Sequence, residues 1–224
     1  MTDARFPADG IAFLQALAND NSRDWFQANK KRYEADVKKP AELFTKAIAE
    51  GLADSIGTAM EHKIFRIHRD VRFSKDKTPY NTHVRLAFWP TGRGIKTPMA
   101  GPAFYLSIET DELICGAGAL GFAPDALARY RTTVSAPKTA EALDRLLGAL
   151  SREGHRIDEP ELKRVPPGFD AGTKAQAGLL RRKGLSAWHH MAHSTPPKDI
   201  NPAACIEAFT GLTPLYDWIA DSLL

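Results

Sequence analysis

The stretch FRIHRDVRFSKDKTPY, residues 65 to 80, sets Arg66, His68, Arg69, Arg72, Lys75 and Lys77 against only Asp70 and Asp76. Guanidinium groups offer planar forks to phosphate or carboxylate, and lysines add mobile point charges. The chemistry this mixture suits is recognition of an anion. Histidine exchanges its proton near neutral pH and carboxylates can share the task, so His68, His83, Asp70 and Asp76 are the candidate acid–base groups. The candidate ligand-binding set is Arg66, Arg69, Arg72, Lys75, Lys77, Tyr80, Arg85 and Tyr105, with the loop SKDKTPYNT as the place where a ligand is met.

The charge is unevenly spread. Residues 62 to 100 hold nine Lys or Arg against two Asp, a local balance of +7 in a chain whose net charge is +3. Such asymmetry points to an anionic partner more than a mildly basic whole does. With 224 residues, 43% hydrophobic and 25% charged, the chain suits one globular domain over 1–224. Cys115 and Cys205 are too few for a disulfide framework and read as packed thiols in a reducing compartment. The N-terminus has no basic segment leading into a small-residue cleavage site and reads as mature protein. No apolar run reaches the roughly 20 residues that cross a bilayer. The expectation is a cytoplasmic protein with no membrane partner.

Three regions must position these residues. Residues 1–60 read as helices: Ile11, Leu14 and Leu17 recur at helical spacing, and Asn21 or Ser22 caps a helix through DWFQANKKRYEADVKK. Pro40 interrupts that helix or opens the next, AELFTKAIAEGLADSI. Over 61–120 the period changes to two in HKIFRIHR, HVRLAFW, AFYLSIE and ELICGAGA, the last two joined by a hairpin at Thr110-Asp111. Residues 121–224 return to helix and loop, with helices opening on Pro202 and Pro214. Helices, then a meander, then helices predict an α+β fold: an antiparallel sheet of about four or more strands with helices packed on one face.

Strand alternation sorts the side chains. Phe65, Ile67, Val71 and Phe73 share one parity; Arg66, His68, Asp70 and Arg72 share the other. If the apolar sets face the helices, the opposite face holds Arg66, His68, His83, Arg85, Tyr105, Ser107 and Glu109. Arg69 has core parity, so either the strand ends or bulges near His68, or Arg69 is buried against a carboxylate such as Asp76.

The residues FRIHRDVRFSKDKTPYNTH, with NSRDWFQANKKRYEADVKKP from 21 to 40, GPAFYLSIE, and LKRVPPGFD from 162 to 170, resemble a bacterial and fungal family called domain of unknown function twenty-four sixty-one. The resemblance covers nearly the whole chain and is looser near GLLRRKGLSAWHH. It implies a single α+β domain and brings no activity, cofactor or catalytic residue.

The sequence holds no nucleophile elbow, phosphate-binding Gly-Lys-Ser/Thr loop, dinucleotide fingerprint or HExxH. His189 and His193 in WHHMAH would share one face of a helix, but lack a third ligand unless His155 or a distant carboxylate supplies it. The segment reads as an exposed polar helix end, with no metal expected and no cofactor named. A second basic cluster, Lys163, Arg164, Lys174, Arg181, Arg182 and Lys183, would widen a positive surface toward nucleic acid, with Trp89 and Tyr80 as stacking candidates. The expected function is a positively charged pocket binding a phosphorylated or carboxylated small molecule, with acid–base chemistry open. Nucleic-acid binding and docking of an acidic protein are the alternatives.

Overall fold

The computed structural model describes residues 4–92, 95 and 97–223. Arg93 and Lys96, two of the nine cations counted above, lie outside the described residues. The fold is α+β, with a six-stranded antiparallel sheet in the order β1-β2-β3-β4-β6-β5. The chain divides into two compact units. The first comprises Met1–Phe88, Tyr105–Cys115 and His190–Glu207; the second comprises Trp89–Phe104, Gly116–His189 and Ala208–Leu224.

In the first unit, α1 (Ala8–Asn19) buries Ile11, Phe13, Leu14 and Leu17. Its Phe13 ring meets Trp25 and Tyr33, at 5.4 and 5.9 Å between centroids. Ser22 starts α2 (Arg23–Arg32): its Oγ accepts from the Trp25 N–H at 3.1 Å, satisfying one of the helix's unpaired donors. A π-helical turn, Tyr33–Lys38, carries α2 into α3 (Lys39–Ile56), so Pro40 sits within a continuous helical run. The wider turn falls where the missing proline N–H would break an α-helical ladder anyway. Gly57 closes α3 at φ 70°, a left-handed conformation that favours glycine.

The strands are β1 (Met60–Ile64), β2 (Val84–Pro90), β3 (Ala103–Ile108), β4 (Glu112–Ala119), β5 (Arg156–Ile157) and β6 (Leu185–Ala192). The Thr110-Asp111 turn joins β3 to β4, with the Glu109 N–H donating to the Glu112 carbonyl at 2.9 Å. β1 is shorter than its alternation predicts. It ends at Ile64, the Phe65 N–H still donates to the Arg85 carbonyl of β2 at 2.9 Å, and residues 66 to 83 leave the sheet before β2 begins. The two-residue period of FRIHRDVRF therefore does not sort core from surface: Ile67 is buried, but Phe65 is 37% exposed and Phe73 is 95% exposed.

The second unit contains α4 (Pro124–Ser135), α5 (Pro137–Arg152) and α6 (Lys174–Leu180). β5 pairs with β6, placing Arg156 opposite Trp188. The segment WHHMA, expected as a helix end, therefore lies in strand β6. Gly118 has φ +131°, and a Cβ there would lie 2.1 Å from the Leu185 carbonyl oxygen, so the close approach of backbone to backbone needs glycine. The two helices expected at Pro202 and Pro214 are one, α7 (Pro202–Leu223), with Pro214 inside it. Phe209, Leu212, Leu215, Tyr216 and Ile219 form one buried stripe across the proline. Phe104 packs against it, with ring centroids 5.2 Å from Phe209 and 4.5 Å from Tyr216. Packing along that stripe outweighs the hydrogen bond that Pro214 removes.

Candidate functional site

The cationic stretch is an ordered loop standing outside the sheet. At its neck the Asn81 N–H donates to the Ile67 carbonyl at 2.7 Å, and the Arg69 N–H to the Pro79 carbonyl at 2.9 Å. His68 and Tyr80 form an isolated antiparallel bridge between them. Tyr80 is buried, its ring stacked on Phe26 at 4.1 Å, and its backbone N–H and carbonyl are both bonded to the Asn21 side chain. The helical region thus clamps one limb of the loop.

Two acidic residues shape the tip. Arg69 Nη1 donates to Asp76 Oδ2 at 2.6 Å and to the Thr78 carbonyl at 3.1 Å, and also meets the Thr78 hydroxyl. Asp76 Oδ1 accepts the Thr78 N–H at 3.0 Å. That backbone bond first, and Arg69 next, hold the Asp76 carboxyl down at about 2. Asp70 receives a fork from Arg72, Nε to Oδ1 at 2.9 Å and Nη2 to Oδ2 at 2.6 Å, which lowers its carboxyl below the usual range. Lys77 Nζ donates to the Val71 carbonyl at 2.9 Å. Both loop carboxylates are engaged within the loop. Arg66 and Lys75 are exposed and, among the described residues, have no carboxylate within ion-pair distance.

A second polar cluster lies where β3 turns into β4. Glu109 Oε1 accepts from the Ser107 hydroxyl at 2.5 Å, and Glu109 Oε2 faces His83 Nδ1 at 3.5 Å. His83 contributes most to lowering the Glu109 carboxyl; burial opposes this, and Ser107 and Arg85 assist. An imidazole whose Nδ1–H points at a carboxylate presents Nε2 as its proton-exchanging atom. Nearby, His193 Nε2 lies 3.1 Å from the Glu109 carbonyl and His190 Nδ1 lies 2.9 Å from Glu112 Oε2. Among the described residues, no group of three or more His, Cys, Asp or Glu side chains is arranged to hold a metal ion.

The profile of a family described as Conserved hypothetical protein (DUF2461) matches residues 9–218. The chain belongs to that family. The DUF2461 match spans both the cationic loop and the Glu109 cluster. Comparison with curated proteins gives no match.

In this DUF2461 member the candidate residues divide into three groups. His83, Arg85, Ser107 and Glu109 come together at the sheet as strand parity predicts. Arg66, His68, Arg69, Asp70, Arg72, Lys75, Asp76 and Lys77 do not share that sheet face, because the strand ends before them. Tyr80 and Tyr105 are both buried. The Glu112–His190 pair was not among the sequence candidates. The hairpin that places Glu112 beside Glu109 was legible, but the pairing of β6 with β4 joins residues 78 positions apart and leaves no local signal.

No helix among the described residues is long and apolar enough to cross a membrane. Cys115 and Cys205 are buried free thiols; the neighbouring Cys205 thiol, and then burial, push the Cys115 thiol well up, which keeps it protonated.

Proposed function

We propose that the protein binds a phosphorylated or carboxylated small ligand against the 65–83 loop, with Arg66, Lys75 and Lys77 supplying the positive field. The observation that carries the reading is the division of labour in the loop. Asp70 and Asp76 engage Arg72 and Arg69 and thereby fix the backbone, while Arg66 and Lys75 have, among the described residues, no carboxylate within ion-pair distance. Cations held on an ordered backbone lose less freedom on binding an anion than cations on a loose chain. Arg85 stands beside the Glu109 cluster, and His83, oriented by Glu109, is the group best placed to exchange a proton with a bound ligand. Arg69 and Arg72 act in this reading as positioning residues for the loop.

A thermal-shift series in phosphate and chloride at equal ionic strength tests it. A ligand that binds the native state raises the melting temperature in a saturable way, by mass action. Phosphate should saturate, chloride should not, and Arg66→Ala combined with Lys75→Ala should abolish the difference. Identical responses to the two salts would reduce the effect to general screening and overturn the reading.

A further inference from the structure

The most exposed large apolar side chain in the loop is Phe73, at 95%. Burying a phenylalanine is a gain that a purely structural loop would take from its own core. Phe73 does not hang from a slack chain either. Its neighbour Arg72 makes a two-point contact with Asp70, and the Arg72 guanidinium carbon lies 5.9 Å from the Phe73 ring centroid. Phe65, 37% exposed at the foot of the same excursion, repeats the arrangement with Lys63 Nζ 5.1 Å from its ring centroid. Each ring is thus accompanied by a cation, and Arg66, Lys75 and Lys77 lie between or beside them in the chain.

We infer that the anionic partner is a single-stranded nucleic acid, whose bases stack on Phe73 and Phe65 while its phosphates meet Arg66, Lys75 and Lys77. This rests on the anion-binding reading above for the loop and its cations, and puts a phosphate-bearing polymer in place of the small ligand. A planar ring beside a cation matches the repeating base-and-phosphate unit, because every base has a stackable face. An acidic peptide supplies the charge without a planar face at each step. In a duplex the base faces are already covered, and exposing one has to break that stacking.

The experiment measures binding of fluorescent oligothymidylate, an abasic strand of equal length, the corresponding duplex and polyglutamate to the full chain. Wild type should prefer the oligothymidylate. Phe73→Ala removes only an exposed ring; it should weaken that binding by about 5- to 150-fold, the effect of one stacked base, and bring it toward the abasic level. The same variant should keep the saturable phosphate response. Equal affinity for the base-bearing and abasic strands, equal affinity for the duplex, or indifference to Phe73→Ala would overturn the inference while a saturable phosphate response leaves the anion reading standing. Polyglutamate bound as tightly, with the same dependence on Phe73, would make the surface an acidic-peptide site instead. Failure of phosphate and of every polymer would remove both readings together.

Discussion

Arg69 and Asp76 meet at 2.6 Å across the cationic loop, joining two limbs that backbone hydrogen bonds also hold at the neck. The arginine is mostly sheltered, whereas the Asp76 side chain is 59% exposed. The pair therefore pins a loop; it is not a charge pair sealed in the core, and its removal does not strand a buried ion.

Arg69→Ala should accordingly loosen the loop and leave the global unfolding transition almost unmoved. Hydrogen exchange reads this directly: the Arg69 and Asn81 amides should lose protection, while amides of α1 and β3 keep theirs. A large fall in melting temperature would instead make the pair part of the core.

The same pair gives the loop an acid limit. The Asp76 carboxyl is depressed to about 2 in the folded protein, below the ordinary aspartate value of about 3.9. A depressed carboxyl contributes stability that is complete above the unfolded value and is lost as pH falls through the folded one. Loop order should thus hold at pH 5 and decay between about pH 4 and about pH 2. A carbon-detected titration of Asp76 checks it; Asp76→Asn should show the loosened loop at every pH.

In the Glu109 cluster, His83 is the largest influence lowering the carboxyl and Ser107 a smaller one. His83→Phe should raise the Glu109 titration midpoint toward the ordinary value of about 4.3, and Ser107→Ala should raise it less. Carboxyl chemical shifts across a pH series rank the two. The reverse order would mean that the serine, not the imidazole, holds the carboxylate ionised.

His155 and His189 form an imidazole pair, 5.1 Å between ring centroids, with both Nδ1 atoms buried and, among the described residues, lacking a hydrogen-bond partner. Burial, and then the neighbouring His189, lower the His155 value; Glu153 opposes them. The folded state binds fewer protons at His155 than the unfolded state, so stability is full above about pH 6.5 and falls as pH drops from there through the folded value. His155→Leu removes an unsatisfied polar atom and should leave stability at pH 7.5 unchanged or raise it by up to about 1–3 kcal/mol. Its loss of stability from pH 7.5 to 5.5, measured by urea melts, should be smaller than that of wild type; an equal loss would acquit His155.

Much of the local architecture was legible in the sequence because it is locally caused. Ser22 caps a helix through an atom three residues away, and the β3–β4 hairpin closes over two residues. The coming together of His83, Arg85, Ser107 and Glu109 was legible in part: strand alternation gives His83 and Arg85 one face and Ser107 and Glu109 one face, and the pairing of β2 with β3 brings the two sets together. Residues 65 to 73 show the limit. Their apolar–polar alternation is as regular as that of a strand, yet alternation marks burial only where a partner strand and a covering layer are present. The strand ends at Ile64, and Asp70 and Asp76 turn back on Arg72 and Arg69 to build a loop instead. Phe73 was left in solvent as a result. The pairing of β6 with β4, and of Glu112 with His190, was likewise decided only by tertiary structure, because a contact across 78 residues depends on which strands become neighbours and not on any pattern within either one.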